Sequence, residues 1–213
     1  MIFDLRSVQD RTGINITGAI HVGAFLGEEL PQYRHLGLTN TILFEPQKHL
    51  YEMVKARSLP TEQVFHTALG SEESIVDMFV SDREGGVRNG AGASSSILEP
   101  RKHLTEHPEV TFPTKETITV HRFDKFVKDN NINIVGFNFL NIDVQGYELE
   151  VLKGIGNTLN QIQMMIVEVN RDEVYTGCPM VEELDEFLQQ YDIFRSATAW
   201  QSQSWGDALY VRN

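Results

Sequence analysis

An aspartate follows an apolar stretch of this chain at a point where a strand would give way to a helix. The stretch after Ile134 ends at Asp143, Gly146 follows, and residues 148–153 (ELEVLK) have helical spacing. In an open α/β sheet, such a turn delivers a carboxylate to the carboxyl edge of the strands, where these folds bind ligands. A helix N-cap is the alternative role for the same aspartate. A glycine-containing turn of similar design near the beginning of the chain favours the ligand site.

That earlier turn spans residues 21–27 (HVGAFLG) and follows a strand predicted over residues 14–22. Glycines at this point let the backbone approach a ligand closely and leave N–H groups of the next helix free. The dinucleotide pattern GxGxxG is absent, as is the phosphate loop GxxxxGK with a following Ser or Thr, which argues against NAD and nucleoside triphosphates. Close helix packing is the alternative explanation for the spacing of Gly23 and Gly27.

A glutamate, Glu45, ends the next predicted strand at residues 41–45, and Pro46 stops that strand. In a doubly wound sheet, a carboxylate at this position can accept hydrogen bonds from both hydroxyls of a ribose. A surface glutamate before a proline is the alternative. Together with the glycine turn, Glu45 predicts an adenosine-type ligand that lacks a pyrophosphate.

Asp143 is joined by two polar residues at the end of the strand predicted over residues 163–169, Glu168 and Asn170. Neighbouring strands would bring these three side chains to one edge, where their oxygens could hold a divalent cation such as Mg²⁺. Alternatively, Asp143 acts as a general base on a hydroxyl, or Glu168 and Asn170 only hydrogen-bond to loop backbone. Histidines that titrate near neutrality also end predicted strands, although a structural role is the commoner one: His21, His66 and His121.

The elements that must position these side chains alternate along the chain. One helix is predicted to begin near residue 28, and a second follows Pro46 and ends near residue 58. Further helices are predicted over residues 124–129, 148–153 and 181–190, with strands between them. This alternation predicts a mostly parallel, doubly wound sheet. A closing hairpin of residues 191–197 and 208–212 requires an antiparallel strand at an edge, and residues 74–80 form a strand outside the alternation. No internal repeat or linker is present, so we expect a single domain over residues 1–213.

Residues 81–113 interrupt the pattern with glycines and serines and show little periodicity. A long irregular segment inside a compact domain is typically a lid or a binding loop. We therefore predict an inserted lid or substrate loop here, with plain disorder as the alternative.

Composition limits the classes of partner. The chain has 213 residues, 41% of them hydrophobic, which suffices for a core, and its net charge of -12 argues against nucleic acid. No apolar run is long enough to span a membrane, and the amino-terminal residues lack a signal-peptide pattern. The single cysteine, Cys178, fits a reducing compartment, and we expect a cytoplasmic location.

Taken together, these stretches resemble the FkbM-type methyltransferases over residues 17–211. The most specific match is residues 142–154 (IDVQGYELEVLKG), which are similar to the family block IDVEGxExxVLxG. Further matches are residues 21–27 with the DxGAxxG cofactor loop, 44–46 with the xEP ribose-binding turn, 68–70 with the segment beside the adenine, 94–98 with a serine-rich stretch, and 206–211 with the closing strand.

The resemblance implies a Rossmann-like class I methyltransferase fold, an α/β fold with a mostly parallel seven-stranded sheet, an antiparallel last strand and helices on both faces. It implies S-adenosylmethionine as cofactor and methylation of a hydroxyl oxygen on a sugar or other small molecule. Asp143 is then the expected base or metal ligand, assisted by Glu168 and Asn170, with Mg²⁺ as an optional second cofactor. The expected cofactor-binding residues are His21, Gly23, Ala24, Phe25, Gly27, Glu45, Pro46, Ala68, Leu69 and Asp143.

The chain departs from the family pattern at two positions. His21 stands where the family usually has Asp, and Gln145 where it usually has Glu. The first change removes a negative charge that would attract the cofactor's ammonium group, and the second removes a potential acid, base or ligand. Two alternatives to an enzyme therefore stay open: a module of the same fold that binds the cofactor without catalysis, and a scaffold that binds no cofactor. The sequence specifies neither the acceptor nor an oligomeric state.

Overall fold

The computed structural model describes residues 2–213, which form a seven-stranded sheet, a three-stranded sheet and seven α-helices. The strands are β1 (Ala19–Val22), β2 (Thr41–Phe44), β3 (Glu62–Phe65), β4 (Ala68–Leu69), β5 (Ser74–Arg83), β6 (Val110–His121), β7 (Phe139–Ile142), β8 (Met164–Asn170), β9 (Ile193–Trp200) and β10 (Trp205–Arg212). The helices are α1 (Leu5–Thr12), α2 (Leu30–His35), α3 (Lys48–Arg57), α4 (His103–Glu106), α5 (Phe123–Asp129), α6 (Glu148–Ile155) and α7 (Val181–Gln189), with 3₁₀ turns at Gly86–Asn89 and Gly156–Gln161.

The large sheet has the strand order β3-β2-β1-β7-β8-β10-β9. Its first five strands pair in parallel, and β10 runs antiparallel to both β8 and β9. This confirms the mostly parallel seven-stranded sheet with an antiparallel last strand. The expected position of that strand at an edge was wrong, because β10 lies between β8 and β9. The two strands differ in burial: β10 carries the buried side chains Ala208, Leu209 and Tyr210, whereas β9 is largely accessible to solvent. The more buried strand therefore lies inside the sheet and the more exposed strand lies at its edge.

Two apolar clusters cover the two faces of this sheet. Consecutive residues of a strand point to opposite faces, so Leu140 of β7 packs in the cluster that holds α5, α6 and α7. Its neighbour Phe139 packs in the cluster that holds α1, α2 and α3. This confirms helices on both faces, and strands buried in this way read as continuous apolar runs in the sequence. No helix within residues 2–213 is long and apolar enough to cross a membrane.

The small sheet has the order β4-β6-β5 and contains the strand predicted outside the alternation. Its strand β6 begins at Val110, inside the segment predicted to be irregular, and pairs with β5 as far as Arg83. Between these strands lie a 3₁₀ turn, the short helix α4 and a bridge between Phe79 and Ser96. Residues 81–113 are therefore more ordered than predicted, because pairing with β5 supplies regularity that local periodicity does not show.

Candidate active site

The carboxyl ends of β1, β2 and β7 meet at one edge of the sheet. Val22, the last residue of β1, is level with Phe44 of β2 and with Ile142 of β7. The residues that follow these strand ends are Gly23, Glu45 and Asp143, and all three line a cavity of about 560 Å³ that is partly open to solvent. The structure therefore brings together the three residues on which the sequence analysis depended.

Gly23 is required where it lies. Its φ is +82°, in the left-handed region that favours glycine, and a Cβ built on it would lie 1.8 Å from the carbonyl oxygen of Asp143. Its amide nitrogen donates a hydrogen bond to the carbonyl of Phe44 at 3.0 Å. The turn after β1 therefore fits closely against the turn after β7. The backbone of these two turns forms the floor of the cavity.

Glu45 connects the first glycine turn to the end of β2. It is buried, and its two oxygens accept hydrogen bonds from the backbone amides of Phe25 and Gln47, each at 2.8 Å. Burial raises the pKa of Glu45 to about 8, although the two amide donors act in the opposite direction. The free carboxyl is therefore largely protonated at neutral pH and can both donate and accept hydrogen bonds toward the cavity.

The other predicted cofactor residues divide between two adjoining cavities. Phe25, Pro46, Ala68 and Leu69 line the same cavity as Glu45. Ala24 and His21 line a second cavity of about 860 Å³, which also contains residues that the sequence analysis did not select: Glu28, Glu29, Arg88, Asn141 and Asp207.

Gly27 lines neither of these cavities. A Cβ built on Gly27 would lie 2.9 Å from the Leu30 side chain, at a φ of +66°. Its role in the structure is the turn into α2 and close packing there, and its contact with the cofactor stays a prediction.

His21 is buried in the wall of the second cavity. Its Nδ1 lies 3.4 Å from the hydroxyl of Tyr33 and its Nε2 lies 3.2 Å from the amide nitrogen of Asn141. Burial lowers the pKa of His21, although Glu29, whose carboxyl oxygen is 3.9 Å from Nε2, acts in the opposite direction. The ring is therefore neutral near pH 7, and the carboxyl groups at this cavity come from Glu28, Glu29, Asp143 and Asp207.

Gln145 bridges the two carboxyl groups predicted to carry the chemistry. Its amide nitrogen donates to Asp143 Oδ1 at 2.7 Å and to Glu168 Oε2 at 2.9 Å, and its Oε1 accepts from the Tyr175 hydroxyl at 2.8 Å. Desolvation raises the pKa of Asp143, and desolvation together with the neighbouring Asp143 carboxyl raises that of Glu168 well above its ordinary value. The two carboxyls therefore bind a proton more tightly than isolated carboxylates do.

Asn170 does not join this group. It lies at the end of β8, and neither its side-chain nitrogen nor its side-chain oxygen has a hydrogen-bond partner within residues 2–213. It lines none of the three cavities at this edge, whereas Glu168, two residues earlier, lines one of them. No side-chain hydrogen bond among the described residues links Asn170 to Asp143, and its assisting role stays a prediction.

The side chains do not fit the predicted Mg²⁺ site. No group of three His, Cys, Asp or Glu side chains in the part of the chain that the structure describes is arranged to hold a metal ion. The Gln145 amide directs its two N–H donors at the oxygens of Asp143 and Glu168 that a cation would need. Since a cation and an N–H donor compete for the same lone pairs, we assign no metal to Asp143, Glu168 and Asn170.

A third cavity, of about 810 Å³, adjoins the carboxyl pair. Asp143 and Ala93 each line all three cavities, so the cavities meet beside these two residues. Seven residues of the third wall come from the segment predicted to be a lid or substrate loop: Arg83, Ala93, Ser94, His103, His107, Glu109 and Val110. Three further wall residues were not predicted as site residues, and no spacing in the sequence marks them: Val174, Gln201 and Trp205.

The strand order and a site at the carboxyl ends of β1, β2 and β7 define a Rossmann-like methyltransferase fold. The chain belongs to the family described as Methyltransferase FkbM domain, which matches residues 21–193. It is 22% identical over 152 residues to the 2-O-methyltransferase NoeI of Sinorhizobium fredii (strain NBRC 101917 / NGR234), a match that covers 70% of this chain and 61% of that protein. The chain thus spans about three fifths of that relative's length.

Two solved structures share the fold. Magnesium protoporphyrin IX methyltransferase (ChlM) from Synechocystis PCC 6803, with bound SAM, superposes with a TM-score of 0.51 at 8% identity, over 98% of this chain and 76% of that one. A putative S-adenosylmethionine-dependent methyltransferase from Listeria monocytogenes superposes with a TM-score of 0.52 at 8% identity, over 93% and 92% of the two chains. At 8% identity, these two superpositions show that the fold is shared.

Proposed function

We propose that this chain binds S-adenosylmethionine and transfers its methyl group to a hydroxyl oxygen of a sugar or other small molecule. The observation that carries the proposal is the meeting of three cavities at Asp143, because a transfer reaction needs a cofactor site and an acceptor site that share one point. Membership of the methyltransferase family supports methyl transfer, and the name of the relative NoeI supports an oxygen acceptor.

The first two cavities have the features that the cofactor requires. Glu45 can bind the hydroxyls of the ribose, and Ala68 and Leu69 offer an apolar surface to the adenine ring. The absence of a side chain at Gly23 leaves room at the junction toward the second cavity. There, the carboxylates of Glu28 and Glu29 and the guanidinium of Arg88 complement an α-amino acid group. When bound, S-adenosylmethionine supplies an electrophilic methyl group on a sulfonium.

Asp143 and Glu168 lie where the methyl group would be transferred. The Gln145 amide fixes both carboxyls, so they present an oriented acceptor of hydrogen bonds to an incoming hydroxyl. Orientation of the attacking oxygen in line with the sulfonium should supply much of the acceleration. We propose Asp143, with Glu168, as the groups that hold the acceptor hydroxyl in that orientation.

Two measurements on the purified chain test this function. Calorimetry should detect binding of S-adenosylhomocysteine, the demethylated product, with a dissociation constant in the micromolar range. Incubation with isotopically labelled S-adenosylmethionine and a panel of glycosides should then give a labelled methyl ether. Absence of binding would refute the proposal at its first step.

A module that binds the cofactor without catalysis is the second candidate. The observation that favours it is Gln145, whose uncharged amide occupies oxygens of both carboxyls where the family usually carries a further acid. This candidate predicts that S-adenosylhomocysteine binds and that no acceptor is methylated.

A further inference from the structure

The third cavity contains a histidine that the proposed function has not used. His103 is buried, with 4% of its surface exposed, and its Nδ1 has no hydrogen-bond partner among the described residues. A buried polar atom without a partner is uncommon in a folded protein and calls for a reason. Because His103 lines the cavity that Asp143, Gln145 and Glu168 also line, its imidazole faces the same space as the carboxyl pair.

Three rings hold the imidazole of His103 in place. Its centroid lies 5.0 Å from that of His107, 5.3 Å from that of Phe112 and 5.5 Å from that of Tyr175. Tyr175 is the residue that bonds Gln145, so the histidine and the carboxyl pair share one supporting side chain. This arrangement fixes the position of the imidazole relative to Asp143 and Glu168.

The backbone that carries His103 is also fixed. The amides of Arg101 and His103 both donate to the carbonyl of Val174, at 3.0 and 3.1 Å. The carboxylate of Glu106 accepts hydrogen bonds from Ser204 and Ser202, in the loop before β10. The histidine is thus positioned by the segment after β8 and by the closing hairpin, which is typical of a preorganised group.

Burial lowers the pKa of His103 to about 4, and the neighbouring His107 acts in the same direction, while Glu109 and Glu106 oppose it. The ring is therefore neutral over the physiological range and can accept a proton. His107 is less available, because its Nε2 accepts from the indole N–H of Trp205 at 3.4 Å and its Nδ1 is turned toward Glu109 at 3.8 Å.

We propose that the third cavity binds the methyl acceptor and that His103 receives the proton of the acceptor hydroxyl. The inference rests on the proposed function and deepens it. The acceptor oxygen forms a bond to the methyl carbon as the bond from that carbon to the sulfonium sulfur breaks, and the electron pair of the broken bond stays on sulfur. The O–H proton passes to the imidazole of His103, so the products are a methyl ether, a neutral thioether and a histidinium that later releases its proton to water.

A weak base suffices for this step. An alcohol oxygen that is gaining a methyl group becomes strongly acidic, so the imidazole needs only to be neutral and in place. General bases that are positioned in this way contribute about 10²–10⁴-fold to a rate. The imidazolium that forms is stabilised by the carboxylates of Glu109 and Glu106, which favour the charged form of His103.

The wall chemistry indicates an uncharged, hydroxylated acceptor. The guanidinium of Arg83 is paired with Glu109 at 3.2 Å, and the carboxyls of Asp143 and Glu168 accept hydrogen bonds from the Gln145 amide. Among the described residues, the cavity wall therefore has no unpaired cation to bind a phosphate or carboxylate. Trp205 adds an aromatic surface beside these polar groups, and aromatic surfaces with adjacent hydrogen-bonding groups suit the apolar and polar faces of a sugar.

The experiment uses the full chain loaded with S-adenosylhomocysteine or S-adenosylmethionine. The acceptors are methyl glycosides of neutral hexoses and deoxyhexoses, with sugar phosphates and uronic acids as the charged comparison. Acceptor binding is measured by saturation-transfer NMR, and methyl transfer by mass spectrometry. The variants are His103→Phe, which keeps a ring of similar shape, His103→Ala, and the control His35→Gln at an exposed position on α2.

We expect the wild type to bind and methylate at least one neutral glycoside. His103→Phe should keep its affinity for S-adenosylhomocysteine within about twofold and lose about 100-fold or more in kcat. Added imidazole should restore part of the activity of His103→Ala, and His35→Gln should match the wild type. A purely structural histidine would not show rescue by imidazole.

Other outcomes overturn the inference and separate it from the proposed function. If His103→Phe retains activity within about threefold of the wild type, His103 is not the proton acceptor. If only charged acceptors are methylated, or if S-adenosylhomocysteine binds while no glycoside binds or reacts, the assignment of the third cavity is wrong and cofactor binding stands. If S-adenosylhomocysteine does not bind, the proposed function itself fails, and this inference fails with it.

Discussion

Glu45 is a buried carboxyl whose two oxygens are already bonded to backbone amides before any ligand arrives. The groups it can still offer are its remaining lone pairs and, in the protonated form, one O–H donor. A ribose presents two hydroxyls that each donate and accept, so a carboxyl is well matched to it. This makes Glu45 the residue at which cofactor binding should be most sensitive to a small change.

Replacement of Glu45 by Gln should weaken S-adenosylhomocysteine binding by about two- to tenfold, since a hydrogen bond between uncharged groups contributes about 0.5–1.5 kcal/mol. The amide keeps one oxygen for a backbone donor, so the fold should survive. Calorimetry measures the dissociation constants, with Glu52→Gln at an exposed position on α3 as the control. Equal affinities for the wild type and Glu45→Gln would exclude Glu45 from the cofactor site.

Gln145 influences the charge at the carboxyl end of β7 and β8, where its amide bonds Asp143 and Glu168. Replacement by Glu would place a third carboxyl where an N–H donor now contacts both Asp143 and Glu168. Because the new carboxyl would be surrounded by like charges, its pKa in the folded protein should lie above the unfolded value. Stability is then lost as pH rises above that unfolded value of about 4.3.

We therefore expect Gln145→Glu to be less stable than the wild type by about 1–3 kcal/mol at pH 8 and by less at pH 5. Urea unfolding at the two pH values provides the measurement, and Gln190→Glu adds the same charge at an exposed site as a control. The three carboxyls of the variant should also bind Mn²⁺ and raise Tm, which the wild type should not do. A rise in wild-type Tm with Mg²⁺ or Mn²⁺ would contradict our rejection of a metal site.

At the scale of elements, the close contact between the turns after β1 and β7 holds the site together. Gly23→Ala should destabilise the chain, because the new methyl group would overlap the Asp143 carbonyl and the backbone would be held at positive φ. Gly37→Ala is a matched control, since Gly37 also has a positive φ, +74°, but a Cβ added there would meet no atom of residues 2–213 within 4 Å.

We expect Gly37→Ala to cost about 1 kcal/mol from the positive φ alone and Gly23→Ala to cost several kcal/mol more. Thermal or urea unfolding of the two variants gives the comparison. Similar losses in the free energy of unfolding for both variants would mean that the two turns can move apart without penalty. The description of the cavity floor as rigid would then be incorrect.

The elements that carry Gly23, Glu45 and Asp143 were predictable because buried parallel strands leave continuous apolar runs that end at polar residues. The position of His103 was not predictable, since it depends on hydrogen bonds from the amides of Arg101 and His103 to the carbonyl of Val174, which is distant in the sequence. The insertion of β10 between β8 and β9 was missed for a similar reason. The sequence predicts that the two strands of a hairpin pair with each other. Which of the two strands then pairs with the rest of the sheet depends on which strand can be buried.

At the scale of the whole molecule, buried carboxyls should govern how stability depends on pH. Burial raises the pKa of Glu45 to about 8 and that of Glu148 to about 7. Both groups titrate near about 4.3 in an unfolded chain, so between that value and pH 7–8 the folded state binds more protons than the unfolded state. Stability should therefore decrease as pH rises through this window.

We expect the ligand-free chain to have its highest Tm near pH 5–6 and a lower Tm at pH 8.5. The decrease of Tm with pH should be smaller in Glu45→Gln. The net charge of -12 adds self-repulsion that also grows with pH, but that contribution is screened by salt, whereas the buried carboxyls are screened much less. Thermal unfolding at 0.05 and 0.5 M NaCl separates the two contributions. If the decrease of Tm with pH vanishes at high salt, the pH dependence comes from surface charges. If the decrease persists at high salt in the wild type but not in Glu45→Gln, it comes from the carboxyl at the end of β2.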